Sequence, residues 1–392
     1  MRARQIKPGV QWVGAVDWDR RLFDALIPLP DGTSYNAYLV QGSEKVALID
    51  SVDPEMWDLL VAHLEDVPVI DYLIANHGEQ DHSGSIPRVL DKYPDARLVT
   101  TPKGKDILMA LLHVPDERFV TVGDGETLSL GDRTLEFIHA PWVHWPETML
   151  TYLAEERILF SGDLFGSHLA TSDLFVADDG QAYEPSKRYF AEIMMPFRTS
   201  IEKHLKRLEG YEIDIIAPSH GPLHARPCFI MEAYRSWVFD PPKNTVVLPY
   251  VSMHGSTQKM VNYLVEVLVA EGVAVKQFNL ADTDAGKLAM ALVDAATLVI
   301  GTPTVLVGPH PAAAYAAFLT NALRPGLRFV SIIGSYGWGS KAVEQLKGMI
   351  PNLKAELLDP VMVKGLPVED DYRALDSLAR TIVEKHKEHG FA

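Results

Sequence analysis

Seven side chains in four separated segments have the types and order of a two-metal site. His77, Glu79, Asp81 and His82 lie within HGEQDHSG at 77–84, and His144, Asp163 and His220 follow. Imidazole nitrogens and carboxylate oxygens are donors for borderline and hard metal ions. Asp163 is the natural bridge, because each of its two oxygens can take one ion, and two-metal sites hold their ions about 3.5–4 Å apart. A single His or Asp in a loop is more often a cap or a surface group. Four histidines and three carboxylates in this order are not explained that way.

The elements that must position them are legible around each segment. The apolar run Asp71-Tyr-Leu-Ile-Ala-Asn76 predicts a buried strand that delivers the first ligand loop. Side chains 77, 79 and 81 would share one side of an extended segment, and His82 would turn back at the start of the next helix. His144 in Ala140-Pro-Trp-Val-His-Trp-Pro-Glu147, Asp163 in Phe160-Ser-Gly-Asp163 and His220 in Pro218-Ser-His-Gly221 each read as a strand-end residue. His168, five residues after Asp163, is a candidate neighbour that orients a ligand or a proton path. Other histidines, among them His63, His139 and His224, read as surface or packing residues.

The second half carries a different signal. Thr245-Val-Val-Leu-Pro-Tyr-Val251 predicts a buried strand, Ser252-Met-His-Gly-Ser-Thr257 a hydroxyl-rich turn, and Gln258 to Ala270 an apolar-periodic helix. Backbone N–H groups and the hydroxyls of Ser252, Ser256 and Thr257, at the positive end of a helix dipole, would cradle a phosphate. The turn is neither a Walker loop nor a G-x-G-x-x-G, and alone it reads as a helix cap. Two later loops change its weight. Thr297-Leu-Val-Ile300 runs into Gly301-Thr-Pro-Thr304, and Leu327-Arg-Phe-Val-Ser-Ile-Ile333 runs into Gly334-Ser-Tyr-Gly-Trp-Gly339. All three loops fall at carboxyl ends of strands that alternate with helices, the edge at which open α/β sheets bind ligands. Tyr336 and Trp338 offer flat surfaces for stacking a ring system, or form an aromatic pair packed under a loop.

The 77–82 pattern resembles the H-x-H-x-D-H signature of the metallo-β-lactamase fold, with Glu79 in place of the second histidine. Asp50 after Val46-Ala-Leu-Ile49 resembles that fold's upstream strand-end aspartate. The exchange at 79 adds charge and a hard oxygen, which moves the preference from zinc toward iron or manganese and the chemistry from hydrolysis toward redox. The three later loops resemble those of a short-chain flavodoxin. The resemblance implies that Ser252, Met253, His254, Gly255, Ser256 and Thr257 take the FMN phosphate. It implies that Thr302, Pro303 and Thr304 on one side, and Ser335, Tyr336, Gly337 and Trp338 on the other, bracket the isoalloxazine. One departure is Val305-Leu-Val-Gly-Pro309, where many relatives carry an asparagine-containing stretch.

A metallo-β-lactamase-like αββα sandwich followed by a flavodoxin-like doubly wound parallel sheet is the arrangement of flavodiiron proteins, also called A-type flavoproteins. The resemblance spans nearly the whole chain, including Gly14-Ala-Val-Asp-Trp18 and Gly32-Thr-Ser-Tyr-Asn-Ala-Tyr-Leu-Val40. It implies two iron ions and FMN, and reduction of dioxygen to water, of nitric oxide to nitrous oxide, or of both. It implies one iron on His77, Glu79 and His144, the other on Asp81, His82 and His220, and Asp163 between them. Dioxygen to water takes four electrons, two held by the irons and two by the flavin, so the cofactors must be close. In the family that proximity arises in a head-to-tail homodimer or larger assembly.

Composition agrees with two globular domains in 392 residues with 47% apolar content. The boundary is expected near Asp240-Pro-Pro-Lys-Asn244, where consecutive prolines stop helix and strand, giving residues 1–242 and 243–392. The net charge of −16, from 52 acidic and 36 basic side chains, argues against nucleic acid and anionic membrane as partners. No run approaches the roughly 20 apolar residues of a membrane helix, and Met1-Arg-Ala-Arg-Gln-Ile-Lys-Pro8 leads into no apolar signal core, so the cytoplasm is expected. The single cysteine, Cys228, rules out a fused rubredoxin, whose iron needs four thiolates, and reads as a packed thiol. Electrons must then come from an external donor, by resemblance a rubredoxin or a reduced deazaflavin coenzyme. Two other classes stay open: a zinc hydrolase of the metallo-β-lactamase kind with a regulatory flavodoxin-like domain, and an FMN electron-transfer or redox-sensing module.

Overall fold

Runs of β-branched and aromatic residues broken by glycine and proline give short strands in the first half and longer ones in the second. The computed structural model describes residues 3–392, so the first two residues of the amino-terminal segment lie outside the description. The chain divides into two compact units, Met1–Phe190 with Phe197–Val238, and Ala191–Pro196 with Phe239–Ala392.

The first unit is built on two sheets. One has seven strands in the spatial order Arg4–Lys7, Val10–Trp12, Tyr38–Gln41, Val46–Ile49, Tyr72–Ile74, Arg97–Thr100 and Phe119–Thr121. The other has five, Thr127–Ser129, Thr134–His139, Met149–Leu153, Ile158–Gly162 and Ile215–Pro218. Strand alternation sorts the apolar residues between two cores. Ala47, Ile49, Ile74 and Val99 meet Phe137, Met149, Ile158 and Phe160 in a core to which both sheets contribute. Leu48, Leu73 and Leu98 point the other way, onto Leu60, Val89 and Leu108 of the helices Trp57–His63, Ile86–Lys92 and Pro102–Leu112. Each such side chain, fully buried, stabilises by about 1.5–3 kcal/mol.

The second unit is a parallel sheet in the order Ala274–Asn279, Lys243–Tyr250, Ala295–Val305, Phe329–Tyr336, with Glu356–Leu357 and Val361–Lys364 both pairing with the last of these. The three central strands Lys243–Tyr250, Ala295–Val305 and Phe329–Tyr336 are buried on both faces, whereas the edge strand Ala274–Asn279 is largely exposed. Val299 joins Val246 and Leu248 against the helices Ser256–Ala270 and Glu369–Glu388. Leu298 and Ile300 join Val247 against Ala285–Leu292 and Pro311–Leu323 on the opposite face. The chain begins in the strand Lys243–Tyr250, steps to one side and returns on the other. The order therefore reverses between Lys243–Tyr250 and Ala295–Val305, which is where such sheets bind ligands.

Two expectations need correction. Gly301-Thr-Pro-Thr304 is not a loop. Thr302 and Pro303 pair in register with Gly334 and Ser335, and Thr304 with Pro309, so the strand runs to Val305 before it turns. Close backbone approach makes this possible: an added Cβ on Gly301 would lie 2.6 Å from the Tyr250 Cβ, and one on Gly334 2.1 Å from the Thr302 carbonyl oxygen. The segment 77–82 is not extended throughout either, because the helix Gln80–Ser83 opens within it and carries both Asp81 and His82.

Candidate metal centre and flavin-binding edge

The metal-ligand candidates come from four segments of the first unit, each beyond the end of a strand. Tyr72–Ile74 feeds the loop holding His77 and Glu79, and the backbone N–H of His82 donates to the Glu79 carbonyl (3.1 Å), turning Asp81 and His82 inward on one helical turn. His144 lies between the strands Thr134–His139 and Met149–Leu153, Asp163 directly follows Ile158–Gly162, and His220 follows Ile215–Pro218. Donor atoms of His77, Glu79, His144 and Asp163 all lie within 4.8 Å of one another, and so do those of Asp81, His82 and His220.

Asp163 faces both groups with different oxygens. Its Oδ2 lies 3.0 Å from His144 Nε2 and 3.7 Å from His77 Nε2; its Oδ1 lies 2.9 Å from His82 Nε2 and 3.6 Å from His220 Nε2. Glu79 Oε2 stands 3.2 Å from both His77 Nε2 and His144 Nε2, and Asp81 Oδ2 stands 3.2 Å from both His82 Nε2 and His220 Nε2. His77, Asp81, His82, Asp163 and His220 are buried, whereas Glu79 and His144 keep about 15% of their side-chain surface exposed, 16% and 14%. The cluster thus opens on the Glu79 and His144 side.

The donor set fits metal ions. Both Asp81 oxygens, both His82 nitrogens and Asp163 Oδ1 are buried with no hydrogen-bond partner, although opposite charges stand about 3 Å away. Donor atoms gathered within 4.8 Å of one another without hydrogen-bond geometry between them are disposed as ligands of an ion would be. Without an ion such buried charges cost several kcal/mol each. The electrostatics agree. Burial pushes the imidazoles toward neutrality, yet carboxylates overcome it, holding His77 and His144 above the ordinary value and raising His82 to about 9. Burial works against Glu79 and Asp163 as anions, and the surrounding imidazoles still hold both well below the usual carboxylate range. The pocket attracts cations.

Residues outside the seven candidates hold them in place. Glu147 Oε1 accepts from His77 Nδ1 (2.9 Å) and from the Gly78 N–H (3.0 Å). Asp50 accepts from the Asn76 backbone N–H (2.8 Å) and side chain (3.2 Å), anchoring the strand end before His77; burial raises its pKa to about 6. Asn36 Nδ2 donates to the carbonyls of Pro218 and Gly221 (2.8 Å each), Tyr38 Oη donates to Pro218 (2.6 Å), and the Ser34 carbonyl accepts from His220 Nδ1 (2.7 Å). The run Gly32 to Val40 therefore positions the His220 loop. Its visible signal is polar side chains inside an apolar strand pair.

His168 is buried near, but not in, the ligand groups. Its Nδ1 lies 2.9 Å from Thr33 Oγ1 and its ring centre 5.0 Å from that of His220, and burial together with His220 keeps it neutral. His63 and His224 are buried packing residues. Cys228 is exposed, not packed: it sits at the second position of the helix Pro227–Phe239, off its buried face of Ile230, Ala233, Tyr234 and Trp237.

In the second unit the three expected segments meet at one sheet edge. Ser252 Oγ accepts from the Gly255 and Gln258 N–H groups (3.2 Å each) and so shapes the turn, and Gly255 takes φ +89° just before the helix Ser256–Ala270. Thr257 is buried, its Oγ1 3.1 Å from Ser335 Oγ. Thr302 and Pro303 are buried in their strand, with the Thr302 hydroxyl accepting from the His310 N–H (3.0 Å). Met253 and His254 are exposed, and Trp338 is 89% exposed between Gly337 and Gly339. Added Cβ atoms on Gly255, Gly337 and Gly339 would meet nothing within 4 Å. A large aromatic ring held out beside glycines is not a pair packed under a loop. It leaves room for a planar group and a surface for it to stack on.

Comparison with known proteins gives the same two halves. Residues 33–221 match the family described as ODP family beta lactamase, and residues 248–375 match Flavodoxin. The chain is 36% identical to a nitric oxide reductase of Moorella thermoacetica, covering 97% of this chain and 98% of the relative. It is 32% identical to a coenzyme F420H(2) oxidase of Methanothermobacter marburgensis, covering 97% and 98%. The solved rubredoxin oxygen:oxidoreductase of Desulfovibrio gigas superposes with a TM-score of 0.94 at 32% identity over the whole of both chains. Among the described residues no helix is long and apolar enough to cross a membrane.

Proposed function

The chain belongs to the flavodiiron, or A-type flavoprotein, family of oxidoreductases, whose cofactors are a di-iron centre and FMN, and from that premise we propose that it reduces dioxygen to water, nitric oxide to nitrous oxide, or both. Electrons would come from an external donor, a rubredoxin or a reduced deazaflavin coenzyme, with FMN and the di-iron centre as the redox groups that the chain would hold. The names of its relatives support both donors and both gases. The observation that carries the reading is Asp163, one carboxylate oxygen facing the His77, Glu79 and His144 group and the other facing Asp81, His82 and His220.

On this reading His77, Glu79 and His144 would hold one iron, Asp81, His82 and His220 the other, and Asp163 would offer one oxygen to each group. Bound iron supplies one-electron steps and open positions for a diatomic ligand, and FMN supplies the electrons two at a time. The chain's own contribution is placement and charge. Glu79 and Asp163 put hard anionic oxygens beside the imidazoles. Phe23 lies 5.2 Å from the His168 ring and 6.1 Å from His220, Tyr35 5.8 Å from His220, and Trp145 edge-on to His77 at 4.9 Å. These rings exclude water around the ligands, strengthening every charge interaction inside. Substrate reaches the centre from the Glu79 and His144 side. At the flavin edge, the 252–257 turn at the start of the helix Ser256–Ala270 would take the phosphate, and Trp338 would offer a stacking surface to the ring.

The test is anaerobic. The protein is loaded with iron and FMN, reduced fully, and mixed with dioxygen or with nitric oxide in separate stopped-flow runs while flavin reoxidation is followed. Fast reoxidation by one gas identifies the substrate. Slow reoxidation by both, with iron and FMN fully loaded, overturns the reading in favour of a sensing or electron-transfer module, and a colourless protein with stoichiometric zinc would return the hydrolase.

A further inference from the structure

The ligand histidines differ in what stands behind them. His77 Nδ1 donates to a buried carboxylate, Glu147, which is 3% exposed. His220 Nδ1 donates to a neutral carbonyl, that of Ser34. His82 Nδ1 is buried and has no partner. A carboxylate behind a metal-bound imidazole fixes the tautomer that presents Nε2 to the ion and raises its basicity; a carbonyl fixes the tautomer with less charge; an unpartnered nitrogen does neither.

Glu147 does more than orient one ring. Its Oε1 also accepts from the Gly78 N–H, the peptide between ligands His77 and Glu79, so one oxygen holds the ring and the backbone linking two ligands of the same group. Its own backbone is fixed by Thr101 Oγ1, which donates to the Glu147 carbonyl (3.0 Å). Its Oε2 is buried without a partner. A carboxylate in that position favours positive charge on or beyond the His77 ring. On the other side, Asp81 and His82 ride on a four-residue helix. Asp163 is shared, so it does not distinguish the halves.

We infer that Glu147 is a positioning residue that makes the His77, Glu79 and His144 half of the centre the tighter one, so that the two irons bind and leave in order. This rests on the di-iron reading above.

Anaerobic titration of ferrous iron into metal-free, FMN-loaded full-length protein tests it, paired with timed chelation of the loaded form and iron counting. Wild type should show two steps separated by about tenfold or more, the scale of a single supporting interaction of this kind. Glu147→Gln keeps an oxygen acceptor for His77 and Gly78 but removes the charge. It should weaken the tighter step about tenfold and leave the weaker step, FMN content and thermal unfolding in place. Glu147→Ala should weaken the tighter step further. His82→Ala should abolish the weaker step alone. The inference is overturned by a single uptake step in wild type, by unchanged affinities in Glu147→Gln, or by equal weakening of both steps. Uptake of fewer than two irons by wild type overturns the di-iron reading itself.

Discussion

A carboxylate can face two cations at once because its two oxygens diverge, and Asp163 is the side chain placed to use this. The opposite case, a titratable group kept from charging, appears at His386. It is buried, with Nδ1 2.7 Å from Asn244 Oδ1 and Nε2 2.7 Å from Thr297 Oγ1. The amide oxygen only accepts, so Nδ1 carries the proton and Nε2 accepts from the threonine hydroxyl. Burial, with His389 nearby, depresses the pKa to about 4. The unfolded chain, near 6.5, therefore binds more protons between these values. The contribution is complete above pH 6.5 and is lost as pH falls from 6.5 to 4, up to about 3 kcal/mol in all. Thermal unfolding of the flavodoxin-like unit, followed from pH 7 to 4.5, should show a shallower fall in His386→Gln than in wild type. Equal slopes would remove His386 from the account.

At the scale of elements, the hairpin beyond the strand Ala295–Val305 is set against its own residues. Val305 pairs with Gly308, leaving Leu306 and Val307 as a two-residue turn with φ +47° and +73°. Both angles belong to the left-handed region, which suits Asn and Gly and costs a branched side chain about 1–2 kcal/mol. The turn persists because the Lys341 N–H donates to the Val307 carbonyl (2.6 Å) and because Gly308 lets Gln345 come close. The departure from an asparagine-containing stretch falls on residues whose backbone asks for one. Replacing Leu306 and Val307 with Asn and Gly should raise the unfolding midpoint of this unit by a few degrees, for about 1 kcal/mol gained net of glycine's entropy, as read by calorimetry. A lower midpoint would mean that Leu306 or Val307 makes a contact worth more than the relieved strain.

For the whole molecule the open matter is which flavin serves which di-iron site. In a head-to-tail dimer, which the family resemblance implies, the FMN of one subunit would reduce the centre of its partner. Two defective chains would then complement each other: Asp163→Asn, expected to lose iron but keep FMN, and Ser256→Glu, which puts a carboxylate in the turn proposed to take the phosphate. Co-expressed with different tags and purified as the mixed dimer, they should recover about half of wild-type gas turnover, since one of two flavin and metal pairs is intact, while each variant alone stays near zero. A mixed dimer as inactive as its parents would show that each chain serves itself.

The residue types of the metal site, their order, and the strand–turn–helix setting of the flavin edge were readable from the chain, because strand period and turn chemistry are local and Glu79, Asp163 and Trp338 are named by position alone. Other features needed the fold. These include the distances that bring the seven candidate ligands together in the two groups that the resemblance implied, the support of His77 by Glu147 seventy residues away, and the hold of Asn36 on a loop more than 180 residues later. So did the extension of Thr302 and Pro303 as strand, which depends on pairing with Gly334 and Ser335. The physical reason is the same throughout. Spacing along the chain constrains neighbours, whereas contacts between distant segments depend on sheet register and packing, and one residue of slip turns a ligand to the opposite face.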